Sequence, residues 1–122
     1  MSFPSRIQGS GQSGLSSIAI AGDVATGITA AGSTAGTATQ LSAVYNAVTA
    51  VAAGAAGVIL PATETGALCF VSNDDASGSD TLTVYPPTGS TIDGTTSVTI
   101  VAAKRRFFVG TSATTWVSLL GA

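Results

Sequence analysis

The chain has 122 residues, a net charge of −2, 4 basic and 6 acidic side chains, one cysteine and no histidine. Catalysis needs titratable groups gathered in a cleft, so this composition argues against an enzyme and gives no ligand set for a metal or cofactor. The acidic balance also argues against a nucleic-acid binder, which typically presents a basic face.

Residues 1–17 are predicted to form an extended N-terminal arm, because the run 8–14 contains only Gln, Gly and Ser and shows no periodicity. No apolar stretch follows the first six residues, so we expect no signal peptide. Two interpretations stay open: a frayed terminus, or a tether that orders on a partner. Its candidate partner contacts are Phe3, Arg6, Ile7 and Leu15.

Residues 18–122 are predicted to form one β-rich domain, in which the region 45–52 is the hardest to assign. Apolar residues there fall at helical spacing. Val48, Thr49 and Val51 are β-branched, however, and favour a strand. Strand is the favoured assignment, and helix or turn stays open. The preceding stretch 29–39 reads as an extended edge segment or loop.

The region 57–122 has a clearer pattern of short apolar runs separated by Gly, Pro and Asp. Strands are predicted at 57–60, 68–71, 81–85, 97–101, 107–109 and 115–120. The run 68–71 is apolar throughout, which predicts a central strand covered on both faces. Alternation turns Leu82 and Val84 inward. The pattern predicts an all-β, antiparallel β-sandwich or jelly-roll-like domain.

Three carboxylates, Asp74, Asp75 and Asp80, lie close together in a Ser-rich segment. Such oxygens could hold Ca²⁺, but the spacing is not that of an EF-hand. Asp and Ser are also common turn residues, and a solvated loop is the favoured interpretation.

Lys104, Arg105 and Arg106 form the one basic cluster of the sequence. The favoured interpretation is a solubilising turn or a guard on a sheet edge. The alternative is a contact with an acidic patch on a neighbouring subunit. Cys69 lies between Leu68 and Phe70 and is predicted to be a buried small hydrophobic residue. The chain has no histidine that could activate it as a nucleophile.

The segments 57–61 (GVILP), 82–89 (LTVYPPTG), 92–94 (IDG) and 115–122 (TWVSLLGA) together resemble a module of tailed bacteriophages. That module is a small β-domain of virion structural proteins, including capsid decoration (cement) proteins and head or tail fibres. The resemblance covers 57–122 best, 28–56 less well, and the arm not at all. It implies a structural virion protein that is usually trimeric and carries no catalytic residues.

The sequence therefore predicts a homotrimeric decoration protein on the outside of a phage head, with itself and the major capsid protein as partners. The arm would order on the major capsid protein, and no membrane or nucleic acid would take part. The absence of a repeated shaft favours cement over the alternative, a fibre or tail-tip module that binds a receptor or glycan. A carbohydrate-binding domain that stacks sugars on Trp116, Tyr85 or Tyr45 is a further alternative.

Overall fold

A computed structural model of the chain describes residues 23–52 and 56–120, which form ten β-strands and no helix. The strands are β1 (Val24–Thr29), β2 (Thr39–Gln40), β3 (Tyr45–Ala50), β4 (Gly57–Ile59), β5 (Leu68–Asn73), β6 (Leu82–Tyr85), β7 (Thr91–Ile92), β8 (Val98–Ile100), β9 (Arg105–Gly110) and β10 (Thr115–Leu120). The all-β prediction is confirmed for these two ranges, and they contain no helix long and apolar enough to cross a membrane.

The first six strands form a solenoid-like arrangement. The chain passes alternately between a six-stranded sheet (order β1-β3-β5-β9-β10-β7) and a four-stranded sheet (order β2-β4-β6-β8). Through β6, each strand from β3 onward pairs in parallel with the strand two places before it. The strands β1, β3 and β5 begin 21 and 23 residues apart. Each coil therefore adds one strand to each sheet, as in repeat proteins.

The last strands close this arrangement with mostly antiparallel pairs. Strand β9 lies antiparallel to both β5 and β10, β8 lies antiparallel to β6, and the short β7 pairs in parallel with β10. Five of the eight strand pairs are thus parallel, so the predicted antiparallel sandwich or jelly roll is not confirmed. A period-2 pattern identifies a strand and its faces, but it carries no information about the direction of the neighbouring strand.

One hydrophobic core takes side chains from both sheets. The six-stranded sheet contributes Val48, Cys69, Val71, Ile92, Phe108 and Trp116, and the four-stranded sheet contributes Val58, Leu82, Val84 and Ile100. The predicted inward orientation of Leu82 and Val84 is confirmed, because both are fully buried. The indole Nε1–H of Trp116 donates a hydrogen bond to Thr63 Oγ1 at 2.8 Å, so this large side chain is buried without an unpaired donor.

The strand prediction at 45–52 is confirmed by β3, and the predicted loop within 29–39 separates β1 from β2. Three strands were missed: β1 and the two-residue β2 lie in a stretch rich in Ala, Gly, Ser and Thr, and β7 lies in the interval between the predicted strands 81–85 and 97–101. Strand β9 also begins earlier than predicted, because Arg105 and Arg106 belong to it.

Candidate interaction surface

The outward side of the six-stranded sheet carries two rows of apolar side chains. In the first row, cross-strand register aligns Val24, Tyr45, Phe70, Phe107 and Leu119. In the second row, it aligns Leu68, Val109 and Val117. We call these eight residues the outer apolar face. Residues in register on neighbouring strands lie side by side, so the two rows form a continuous patch.

Alternation along β5 separates this face from the core. Cys69 and Val71 are fully buried, whereas Leu68 is 49% exposed and Phe70 is 40% exposed. A solvated sheet face is ordinarily polar, so this side of the sheet departs from the usual pattern. The prediction that 68–71 lies in a central strand is confirmed. The prediction that both of its faces are covered is wrong within the described ranges, because periodicity shows which residues are apolar but not what packs on them.

Three aromatic rings lie side by side at the centre of the outer apolar face. The rings of Phe70 and Phe107 stack with their centroids 4.3 Å apart and their planes 26° apart. The ring of Tyr45 lies 6.5 Å from that of Phe70. Beside the stacked pair is a shallow groove of about 280 Å³, lined by Phe70, Arg105, Arg106, Phe107, Leu119 and Leu120. Its lining is almost wholly apolar apart from the two arginines.

The two arginines of the basic cluster line this groove, and each is paired with an acid of the same chain. A guanidinium nitrogen of Arg105 lies 3.9 Å from a carboxylate oxygen of Asp74, and both side chains are exposed. Because β9 lies between β5 and β10, the prediction that the cluster is a turn or a guard on a sheet edge is wrong for Arg105 and Arg106. Lys104, just before the strand, is half-buried.

Arg106 is held more firmly than Arg105. Its Nε donates to Ser118 Oγ at 2.9 Å, and a guanidinium nitrogen lies 3.9 Å from an Asp93 oxygen. Asp93 in turn accepts a hydrogen bond from the Ser118 backbone N–H at 2.9 Å. These bonds connect β9, β10 and the turn after β7. Arg105 is therefore the more available of the two arginines for a contact with another subunit, which stays a prediction.

The four arm residues predicted to contact a partner lie outside the described ranges. Phe3, Arg6, Ile7 and Leu15 all precede Asp23, where the description begins. Their role stays a prediction.

The acidic loop after β5 is organised by hydrogen bonds within its own chain. Asp75 accepts bonds from the Ser77 hydroxyl and from the Val51 backbone N–H, the latter at 2.9 Å. These bonds, that of Ser77 first, hold the pKa of Asp75 below its usual value. Asp74 accepts a bond from Ser72 Oγ at 2.7 Å. Within 23–52 and 56–120, no group of three or more His, Cys, Asp or Glu side chains is placed to hold a metal ion.

Two residues with alternative functional interpretations lie in the core. Cys69 is a buried small residue, as predicted, and burial raises the pKa of its thiol to about 12, against a smaller opposing effect of a hydrogen bond from Asn46. The Trp116 side chain is fully buried, so it offers no face for stacking a sugar. The Tyr85 hydroxyl donates to the Ser33 carbonyl at 3.0 Å, which fixes that ring to the loop between β1 and β2.

Sequence reasoning missed the outer apolar face. Apart from Tyr45, a candidate for stacking a sugar, its members have no predicted role at a surface, because the sequence does not show which face of a strand the partner sheet covers. One signal was present: the runs 68–71 and 107–109 are apolar at consecutive positions, which puts apolar side chains on both faces of each strand. The four-stranded sheet covers one of those faces.

No protein-family model, curated protein or solved structure matches this chain. The resemblance to phage structural modules therefore stays a prediction from the residues that carry it.

Proposed function

We propose that this protein is a structural component of a virion: a capsid decoration protein that binds the outer surface of a phage head as a homotrimer and stabilises the shell. In this role it catalyses no reaction and uses no cofactor. Its partners are other copies of itself and the major capsid protein, without nucleic acid or membrane.

The observation that carries the proposal is the outer apolar face. Contiguous exposed apolar patches are typical of surfaces that bind other proteins. The two arginines beside it are each paired with an acid of the same chain, which favours recognition by shape and apolar contact. The phage head as the place of action is supported by the resemblance of the segments between 57 and 122, and by nothing else.

In the proposed mechanism, one part of the chain forms the trimer and another part binds the capsid. The β-domain forms the trimer and projects from the shell, while the arm 1–17 orders on the major capsid protein across a boundary between capsomers. Three arms on one trimer multiply a weak single contact, because the second and third arms bind at high effective concentration. The bound trimer then opposes the separation of capsomers under the outward pressure of packaged DNA.

Immunogold labelling of purified particles tests the location. We expect gold over the whole head surface when an antibody against this chain is viewed by electron microscopy. Label restricted to the tail or tail tip would reject the decoration proposal in favour of a fibre or tail-tip module, for which receptor or glycan binding is the next question.

Deletion of residues 2–17 tests the arm. The shortened protein should keep its oligomeric state but no longer sediment with heads that lack the protein. The full chain is the matched control. Equal binding by the two proteins would overturn the arm mechanism without bearing on the trimer.

A further inference from the structure

We propose that the outer apolar face is the surface through which copies of this chain associate, with three faces meeting around a threefold axis. The number of copies rests on the proposed function, whereas the choice of surface rests on the geometry of the sheet. The occupant of the face is therefore the same face on two other copies.

The composition of the face favours a permanent, homomeric contact. Interfaces between subunits that never separate resemble a protein core cut in half, and they are more apolar than interfaces that form and dissolve. All eight members of the face are apolar or aromatic, and Phe70, Leu119 and Val24 are at least 40% exposed. With 8% charged residues in the whole sequence, the chain has little charge with which to keep such a face in water.

A second argument comes from the charges at the rim. Arg105 and Asp74, one cation and one anion, lie together beside the middle of the first row, since Arg105 is two residues from Phe107 on β9, and they leave that part of the rim neutral. A neutral rim of this kind suits another copy of itself, because Arg105 of one copy can approach Asp74 of the next without repulsion. A nucleic acid or an acidic partner would instead require an excess of unpaired cations.

The moment at which each partner becomes available favours a second copy over the capsid as the molecule that covers the face. A partner met only on the particle would leave the face exposed from synthesis until assembly. Exposed apolar faces and sheets associate without specificity during that interval. Copies of the same chain are present as soon as the protein is made, so they cover the face at once and leave the arm free for the shell.

The width of the face fits three copies. Three flat faces around a threefold axis form a triangular prism, whose side is about 3.5 times the distance from axis to face. Packed sheets lie about 10 Å apart, which puts each sheet about 5 Å from the axis and makes the side about 17 Å. At about 4.8 Å per strand, that is three to four strands. The second row spans three adjacent strands and the first spans five, which brackets the required width.

Sedimentation of charged variants tests the inference. Leu119→Lys and Val117→Lys each put a cation on the face, at positions that are 67% and 44% exposed and so outside the protomer's own core. Val101→Lys is the matched control, since Val101 is 52% exposed but follows β8 of the other sheet. Circular dichroism and Trp116 fluorescence report whether each variant is folded.

At about 1–100 µM, a range that brackets typical interface affinities, we expect the wild-type protein and Val101→Lys to sediment as trimers. Leu119→Lys and Val117→Lys should sediment as folded monomers. A wild-type protein that is monomeric or dimeric throughout this range would overturn the inference, and so would trimers of both face variants. Two variants are used so that, if one misfolds, the oligomeric state of the other still tests the inference.

The test is independent of the head-binding experiments. A monomeric wild-type protein that still labels phage heads would reject this surface and leave the decoration role in place. Trimers broken by Leu119→Lys, in a protein found only on tails, would support the surface and reject the decoration role.

Discussion

The two faces of the six-stranded sheet belong to the same strands and both carry apolar side chains, yet they differ in what covers them. On β10, Trp116 is fully buried against the second sheet, whereas its near neighbour Leu119 is 67% exposed. The inner face is closed by the chain itself. The outer face is closed by nothing in the described ranges.

This difference separates stability from association. Burial of apolar area stabilises the protomer on the inner face, at roughly 25 cal/mol per Å² removed from water. The apolar area of the outer face stays in contact with water in the monomer. It contributes a favourable free energy only when another molecule covers that face. Substitutions on the inner face should therefore unfold the protomer, and substitutions on the outer face should change its assembly.

The largest effect is expected for Trp116→Ala on the inner face. The substitution leaves a cavity in the core and removes the indole donor of Thr63, so the free energy of unfolding should fall by about 3–5 kcal/mol. Denaturation in urea measures this change in a Val117→Lys background, which keeps the protomer monomeric. Leu119→Ala on the same strand is the control and should change the free energy of unfolding of the monomer by less than about 0.5 kcal/mol. Equal losses for the two variants would contradict the division between the faces.

Thiol reactivity compares the two faces at adjacent positions. Because burial raises the pKa of Cys69 from 9.0 to about 12, its thiolate fraction at a given pH is about a thousandfold lower than for a free thiol. Leu68→Cys in a Cys69→Ala background places a thiol on the outer face instead, and both proteins carry Leu119→Lys so that no second copy covers that face. We expect native Cys69 to react with iodoacetamide at pH 8 at least about a thousandfold more slowly than that variant. Similar rates would show that the inner face is open to solvent.

The same thiol predicts the direction of an alkaline effect. The folded-state pKa lies above the unfolded-state pKa, so the stability linked to the neutral thiol is complete below pH 9.0 and is lost as the pH rises toward about 12. The loss is at most about 1.4 kcal/mol per pH unit in that window. Urea denaturation at pH 8 and pH 10 measures it, and Cys69→Ala should lack this contribution.

The sequence predicted the strands far better than their pairing. Alternation at Leu82 and Val84, the stop at Pro86 and the β-branched residues of β3 are local signals, and each corresponds to an observed strand or strand end. The parallel pairing of β3 with β5 depends on contacts more than 20 residues apart in the chain. Nothing in a single strand encodes the direction of such a neighbour.

The candidate site was less predictable than the fold. The basic cluster was visible as a charge run, but its partners Asp74 and Asp93 come from different turns that only the folded sheet brings near it. The outer apolar face combines residues from five strands, and its exposure depends on which face of these strands the second sheet covers. Exposure of this kind is a tertiary property and leaves only an indirect trace in the sequence.

Asn73, at the end of β5, is a buried polar residue on the inner face. Its side-chain amide donates to the carbonyls of Ile100 at 2.8 Å and Asp80 at 2.9 Å, and it is fully buried. Asn73→Ala should lower the free energy of unfolding by about 1–3 kcal/mol, because the buried Ile100 carbonyl loses its partner.

The matched control for Asn73 is Gln40→Ala. The Gln40 amide also donates to backbone carbonyls, but the residue is exposed, so water can replace it. We expect a loss within about 0.5 kcal/mol there. Urea denaturation of both variants makes the comparison, and an equal loss at Gln40 would show that burial is not what makes Asn73 important.

The smallest effect is expected from the ring pair on the outer face. Phe70 and Phe107 stack at 4.3 Å, and a double-mutant cycle with alanine should give a coupling of about 0.5–1.5 kcal/mol in a protomer kept monomeric by Leu119→Lys. Phe70 and Val117 are the control pair, since their strands are separated by β9 and should couple by less than about 0.5 kcal/mol. A stacked pair with no coupling would mean that the rings order only when another copy covers them, and it would move the whole contribution of this face from folding to assembly.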